Sequence, residues 1–143
     1  MNACFLSAAV LGLALAAADA PDDATKKDLE KMQGAWTMQS ARHGGNDLPA
    51  DKIAGMRLVF DGSKYKLTKD GDVVDEGTFT LMAGKKIDIR STKYETNKFN
   101  GIYQFDGDTF KEAVAPTSAD RPTELESKQG SDVMLIVLQR EKK

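Results

Sequence analysis

The stretch MRLVFDGSKYKLTK, residues 56–69, decides the fold of this chain. Its apolar side chains recur at every second position on both sides of a central Asp61-Gly62 pair. Period-two alternation is typical of a strand with one buried face, and Asp-Gly between two such runs favours a tight hairpin turn. The stretch therefore predicts two antiparallel strands, at residues 56–60 and 64–69.

The same pattern continues along the chain in both directions. Runs of alternating apolar residues, separated by turn signals, predict six further strands, at residues 35–42, 73–81, 86–91, 101–105, 109–115 and 132–140. Eight sequential strands favour an up-and-down barrel or a sandwich. We expect an all-β fold, an eight-stranded antiparallel up-and-down barrel.

The segments at the two ends of the predicted strand series need separate interpretation. A short helical turn is predicted at residues 28–33, where Gly34 ends it, and residues 19–27 are expected to form a flexible linker. The last strand is apolar on both faces at residues 133–138. Something must cover its outer side, and the helical turn is the obvious candidate.

The connections between the predicted strands are of two kinds. Tight turns follow the second, fourth and sixth strands, whereas long connections follow the first, fifth and seventh, at residues 43–55, 92–100 and 116–130. Because successive strands alternate in direction, the hairpins gather at one end of the barrel and the long loops at the other. Only the tight turn at residues 70–72 departs from this rule. Ligands enter small barrels at such open mouths.

The N-terminal segment predicts export. Residues 5–18 form an apolar run that ends in small residues, which is the pattern of a secretory signal peptide cleaved after Ala18 or Ala20. We expect cleavage after Ala18, because Pro21 would otherwise follow the scissile bond. The segment before the run lacks Lys and Arg, which leaves an N-terminal membrane anchor as the alternative. The run is shorter than the roughly 20 residues that span a bilayer.

Composition excludes several classes of function. The 143 residues suit one domain, and the net charge of −2 gives no reason to expect nucleic acid or an anionic membrane surface as a partner. Cys4 is the only cysteine and precedes the apolar run, so the mature chain would have none. This removes disulfides, thiolate catalysis and thiolate metal sites. No cofactor motif is present, and no stable membrane span is expected after cleavage.

The first strand begins with a Gly-x-Trp motif. Gly34-Ala35-Trp36 follows the helical turn, and Arg140 lies late in the last strand, as in the lipocalin pattern of Gly-x-Trp with an arginine packed across the indole. The predicted topology places Trp36 and Arg140 at the same, closed end. A guanidinium over an indole face is a cation–π contact worth about 0.5–2 kcal/mol.

A closer resemblance covers nearly all of the mature chain. Its motifs, in order, are Met32-Gln33-Gly34-Ala35-Trp36, Leu48-Pro49-Ala50, Leu58-Val59-Phe60, Glu76-Gly77-Thr78-Phe79, Gly101-Ile102-Tyr103, Arg121-Pro122-Thr123-Glu124 and Leu138-Gln139-Arg140. The pattern is similar to lipocalin-like domains of unknown function that are numerous in exported planctomycete proteins. The resemblance implies a bacterial, exported protein with a calycin-type barrel at residues 28–143, and it implies no established activity. Where members often carry an apolar residue and a cysteine, this chain has Glu112 and Ala113.

The predicted mouth loops contain the tentative ligand-binding residues, which are His43, Lys93, Tyr94, Arg121 and Glu124. His43, the only histidine, could contact a ligand or respond to pH, or it could be a solvated loop residue. Arg121 could bind a carboxylate or phosphate, or an Arg–Glu pair could hold the long loop over the barrel.

No metal site or catalytic constellation is expected. A zinc site would need a second histidine or a cysteine, and the Asp-Gly pairs are explained by hairpin geometry rather than by calcium binding. Nothing orients Ser40 and His43 as parts of a hydrolase triad. We therefore expect a non-enzymatic module with one of two roles. The first is binding of a small apolar or amphipathic molecule at the mouth, and the second is a filled barrel that acts as a protein-interaction or structural domain in the periplasm or at the cell surface.

Overall fold

Eight antiparallel strands close into a barrel in the computed structural model, which describes residues 22–142. The elements are α1 (Asp23–Met32), β1 (Gly34–His43), β2 (Asn46–Asp47), α2 (Ala50–Ile53), β3 (Met56–Asp61), β4 (Lys64–Lys69), β5 (Asp72–Met82), β6 (Lys86–Ser91), β7 (Lys98–Asp106), β8 (Thr109–Pro116) and β9 (Met134–Arg140). From β3 onward each strand pairs with the next, and β1 pairs with both β3 and β9 to close the barrel. The short β2 pairs with the end of β1 as an extra strand. The predicted eight-stranded barrel is confirmed.

The N-terminal helix is longer than the sequence indicated. It begins at Asp23, because the side chain of Asp22 accepts a hydrogen bond of 2.7 Å from the backbone N–H of Thr25 and so caps the first turn. The prediction of a flexible linker is therefore wrong for residues 23–27. The predicted signal peptide and its cleavage sites lie outside the described residues.

Helix α1 closes one end of the barrel. The buried Asp28 carboxylate accepts a hydrogen bond of 2.5 Å from Lys85 Nζ, at the β5–β6 turn, and one of 2.8 Å from the Tyr103 hydroxyl on β7. Met32 is fully buried, and its carbonyl oxygen accepts a hydrogen bond of 2.9 Å from the Trp36 indole. These contacts place the helix across the barrel end. The expectation that it covers the outer side of the last strand is wrong.

The closed half of the barrel is filled with aromatic side chains. Ring centroids lie 5.0–6.3 Å apart in the cluster of Trp36, Phe60, Tyr103, Phe105 and Phe110. These separations are typical of favourable aromatic packing. This half is a conventional hydrophobic core.

The predicted pair of Trp36 and Arg140 is present at this end. The guanidinium carbon of Arg140 lies 4.3 Å from the centroid of the indole ring. The same guanidinium donates hydrogen bonds to the carbonyl oxygens of Gln33, at 2.9 Å, and of Lys31. Arg140 thus ties the end of α1 to the last strand.

No helix within the described residues is both long and apolar enough to cross a membrane.

Candidate functional site

The half of the barrel near the long loops encloses a cavity of about 410 Å³. All eight strands of the barrel contribute inward-facing side chains to its wall. Most of these side chains are apolar, and they are Met38, Leu58, Phe60, Leu67, Val74, Phe79, Ile87, Ile89, Phe99, Val114, Pro116, Met134 and Ile136. The cavity opens at the mouth that the pattern of long connections predicted.

Two glycines allow neighbouring strands of the barrel to approach closely. Gly77 and Gly101 lie at inward positions of β5 and β7, and neither fills space with a side chain. A Cβ atom at Gly77 would collide with the carbonyl oxygen of Arg90, so the close approach of β5 and β6 requires glycine there. Phe60 and Phe79 pack edge to face at 5.2 Å and form the floor.

One side of the cavity carries a hydrogen-bonded polar cluster centred on Asp75. Its carboxylate accepts hydrogen bonds from the Tyr65 hydroxyl at 2.9 Å, from Ser91 Oγ at 2.5 Å and from the backbone N–H of Glu76 at 2.9 Å. Burial, reinforced by the bond to Asp75, raises the pKa of Tyr65, so its hydroxyl stays protonated. The cluster joins three adjacent strands and leaves the Asp75 carboxylate well satisfied.

Glu112 is another carboxylate of the cavity, and one of its oxygens lacks a hydrogen-bond partner in the described part of the chain. It lies near the middle of β8, between Tyr103 and Ile136 in register, and only 3% of its surface is exposed. Its Oε2 atom has no hydrogen-bond partner within residues 22–142. Burial raises the pKa of Glu112 to about 7.

Sequence reasoning did not choose Glu112 as a site residue, although a signal was available. Phe110, Glu112 and Val114 alternate along β8 and face the interior. A single charged residue on an otherwise apolar face marks an unusual buried group. The loops contain many more polar residues, and these drew the prediction away from the single inward charge of Glu112.

Two of the five predicted mouth residues line the cavity. His43, at the end of β1, and Tyr94, in the loop before β7, border its opening together with Asn97 and Asp132. Lys93 is not part of the lining. Its Nζ donates a hydrogen bond of 2.8 Å to the carbonyl oxygen of Val73 and lies 5.5 Å from the centroid of the Tyr94 ring, so it holds the mouth loops together.

The placement of Arg121 at the mouth is wrong. The loop between β8 and β9 folds back along the outside of the barrel, and the Arg121 guanidinium donates to the carbonyl oxygens of Ile87, at 3.0 Å, and Gly101, at 2.9 Å. It also pairs with the Asp88 carboxylate at 2.7 Å. Arg121 therefore staples the loop, as one interpretation expected, but through Asp88 and backbone oxygens rather than through a glutamate.

Glu124 also lies away from the cavity. Its carboxylate pairs with Lys128, four residues later, at 3.4 Å, and both side chains are exposed. Exposed pairs of this kind contribute little to stability. Among the described residues, Glu124 is not part of the cavity lining.

Among residues 22–142, no three His, Cys, Asp or Glu side chains are grouped closely enough to hold a metal ion. Comparison of the chain with protein-family models and with curated proteins gave no significant match.

Proposed function

We propose that this protein is a non-enzymatic, exported lipocalin-like module that binds a small apolar or amphipathic molecule inside its barrel. The observation that carries the proposal is the mouth-side cavity of about 410 Å³ with its largely apolar wall. Small-molecule sites are concave, mostly apolar and about 300–1,000 Å³ in volume. The apolar run at residues 5–18 and the similarity to exported planctomycete domains support the export part of the proposal.

The distribution of packing favours this role over a filled structural barrel. Buried aromatic side chains pack the closed half, whereas the mouth half contains the cavity. Val73 and Tyr94 are the large apolar residues of the described chain that are more than a third exposed. Both lie at the mouth, where an apolar molecule would enter.

A first experiment is native mass spectrometry of the protein purified from the organism that produces it, followed by titration calorimetry with the neutral probe 4-phenylbutan-1-ol. We expect a co-purified small molecule, or saturable 1:1 binding of the probe. Leu67→Trp should abolish binding, because Leu67 points into the cavity and the larger indole would occupy it.

Lys66→Trp provides the matched control, because the neighbouring Lys66 lies on the outer face of the same strand. It adds the same indole outside the barrel and should bind the probe like the wild type. Absence of both an adduct and probe binding would contradict the proposed function, and so would equal loss of binding in the two variants.

A further inference from the structure

We infer that the molecule bound in this cavity is an apolar amine, whose protonated amino group meets the Glu112 carboxylate while its apolar body fills the rest of the space. The inference rests on the proposed function and specifies the chemical class of its ligand. It depends on one unpartnered buried oxygen, on the sign of charge in the cavity and on the hydrogen bonds that the neighbouring polar groups already make.

The first argument is the unpartnered Oε2 atom of Glu112. This oxygen is buried in the cavity wall without a hydrogen-bond donor in the described part of the chain. Buried acceptors without a partner are costly and rare in folded proteins. A donor on the ligand would satisfy Glu112, so the position of this carboxylate marks where the polar end of the ligand sits.

The second argument is the sign of charge in the cavity. Its wall carries two carboxyl groups, on the half-buried Asp75 and the buried Glu112, and a third, on Asp132, lies exposed at the rim. Neither Lys nor Arg lines it within residues 22–142, and its one basic group, His43, lies exposed at the rim. Charges interact strongly where water is excluded. The cavity therefore favours a cation and opposes a fatty acid or another carboxylate.

The third argument distinguishes Glu112 from the other carboxylate in the wall. The Asp75 carboxylate already accepts three hydrogen bonds, one of them from the Tyr65 hydroxyl. The hydrogen bonds of Asp75 and Tyr65 are therefore complete without a ligand. The Glu112 carboxylate is therefore the group to which a bound ammonium would donate.

The chemistry also separates an amine from a neutral alcohol. Both can donate a hydrogen bond to Glu112, but an ammonium forms a charge-assisted bond, which is roughly twice as strong as a neutral one. The aromatic rings of Phe60, Phe79 and Phe99 line the remaining space and suit an aryl or alkyl body. An amine joined to such a body complements both parts of the cavity.

The test compares three probes that share one apolar body: 4-phenylbutylamine, 4-phenylbutan-1-ol and 4-phenylbutanoate. Binding to the mature chain is measured by titration calorimetry at pH 8, where Glu112 is ionised. We expect the amine to bind at least tenfold more tightly than the alcohol, and the carboxylate to bind most weakly. Glu112→Gln should remove the preference for the amine and leave the affinity for the alcohol within about threefold of wild type.

Glu76→Gln is the matched control, because Glu76 lies on the outer face of β5 and pairs with Lys66 outside the cavity. It should preserve the preference for the amine. If Glu112→Gln fails to fold, the ratio of amine to alcohol affinity in the wild type still decides whether the cavity prefers an amine.

The outcomes separate this inference from the proposed function. Binding of the alcohol with no preference for the amine, or tightest binding of the carboxylate, would overturn the amine while the binding role stands. An amine preference that survives Glu112→Gln would overturn the role of Glu112. If none of the three probes binds and no small molecule co-purifies with the protein, the proposed function fails and this inference fails with it.

Discussion

Glu112 connects the candidate site to the stability of the protein. Its pKa is about 7 in the folded state, against an ordinary value of 4.5. Between these values the folded protein keeps a proton that the unfolded chain has lost. Stability should therefore fall as the pH rises from about 5 to 8 and level off above the folded pKa. A shift of this size corresponds to a loss of about 3 kcal/mol.

The measurement is chemical denaturation of the wild type and of Glu112→Gln across this pH range. The variant should lack the decline, because it carries no titrating group at that position. Tyr65, Asp75, Asp132 and His43 also line the cavity and are present in both proteins, so the difference between the two profiles reports on position 112. Parallel pH profiles for the two proteins would contradict the prediction.

Trp36 gives a second prediction for a single residue. Its indole has no exposed surface, stacks under Arg140 and donates to the Met32 carbonyl oxygen. Trp36→Ala should lower the free energy of unfolding by about 3–5 kcal/mol, as measured by urea denaturation. A loss below about 1 kcal/mol would mean that the indole is not part of the closed-end core.

At the scale of elements, helix α1 covers one end of the barrel. Asp28 holds it through Lys85 and the Tyr103 hydroxyl. Asp28→Asn should destabilise the protein by about 1–3 kcal/mol, because it weakens hydrogen bonds to a buried carboxylate. Asp23→Asn, at the exposed start of the same helix, is the control and should have a much smaller effect.

A double-mutant cycle separates the two partners of Asp28. Tyr103→Phe deletes only the hydroxyl, and combining it with Asp28→Asn should cost less than the sum of the single changes. Simple additivity in thermal or urea denaturation would show that the hydroxyl and the carboxylate do not depend on each other.

The elements also show where local sequence signals are sufficient. The Asp61-Gly62 and Asp106-Gly107 turns fall where their chemistry predicted, with Gly62 and Gly107 at positive φ. The predicted helical turn is shorter than α1 because the first turns of α1 are polar. Thr25 and Asp28 are buried by the barrel end rather than by an apolar face of their own, so local sequence carries little sign of them.

At the scale of the whole molecule, the barrel has one packed half and one hollow half. Phe110 has no exposed surface and packs against Trp36, Phe60, Tyr103 and Phe105. Phe110→Ala should therefore lower the free energy of unfolding by about 3–5 kcal/mol. Phe99→Ala should cost clearly less, because Phe99 borders space that is already empty.

Equilibrium denaturation of Phe110→Ala and Phe99→Ala compares the loss of stability caused by the same substitution in the closed half and in the mouth half. Equal losses would mean that the mouth half is as tightly packed as the closed half. That result would count against the cavity itself.

The resemblance to lipocalins implied the pairing of Trp36 with Arg140, whereas the sequence by itself determined the strand series, the tight turns and the end of the barrel that carries the long loops. These features depend on side-chain period, turn chemistry and strand direction, which are local or follow from counting strands. Only the tertiary structure decided that the mouth half is hollow, because empty volume depends on how inward side chains from eight strands meet. It also moved Arg121 to the outer wall, since a long loop can fold to either side of a barrel. It placed the Glu112 carboxylate in the cavity wall, with Oε2 unpartnered among residues 22–142, because the partners of a buried group come from distant strands.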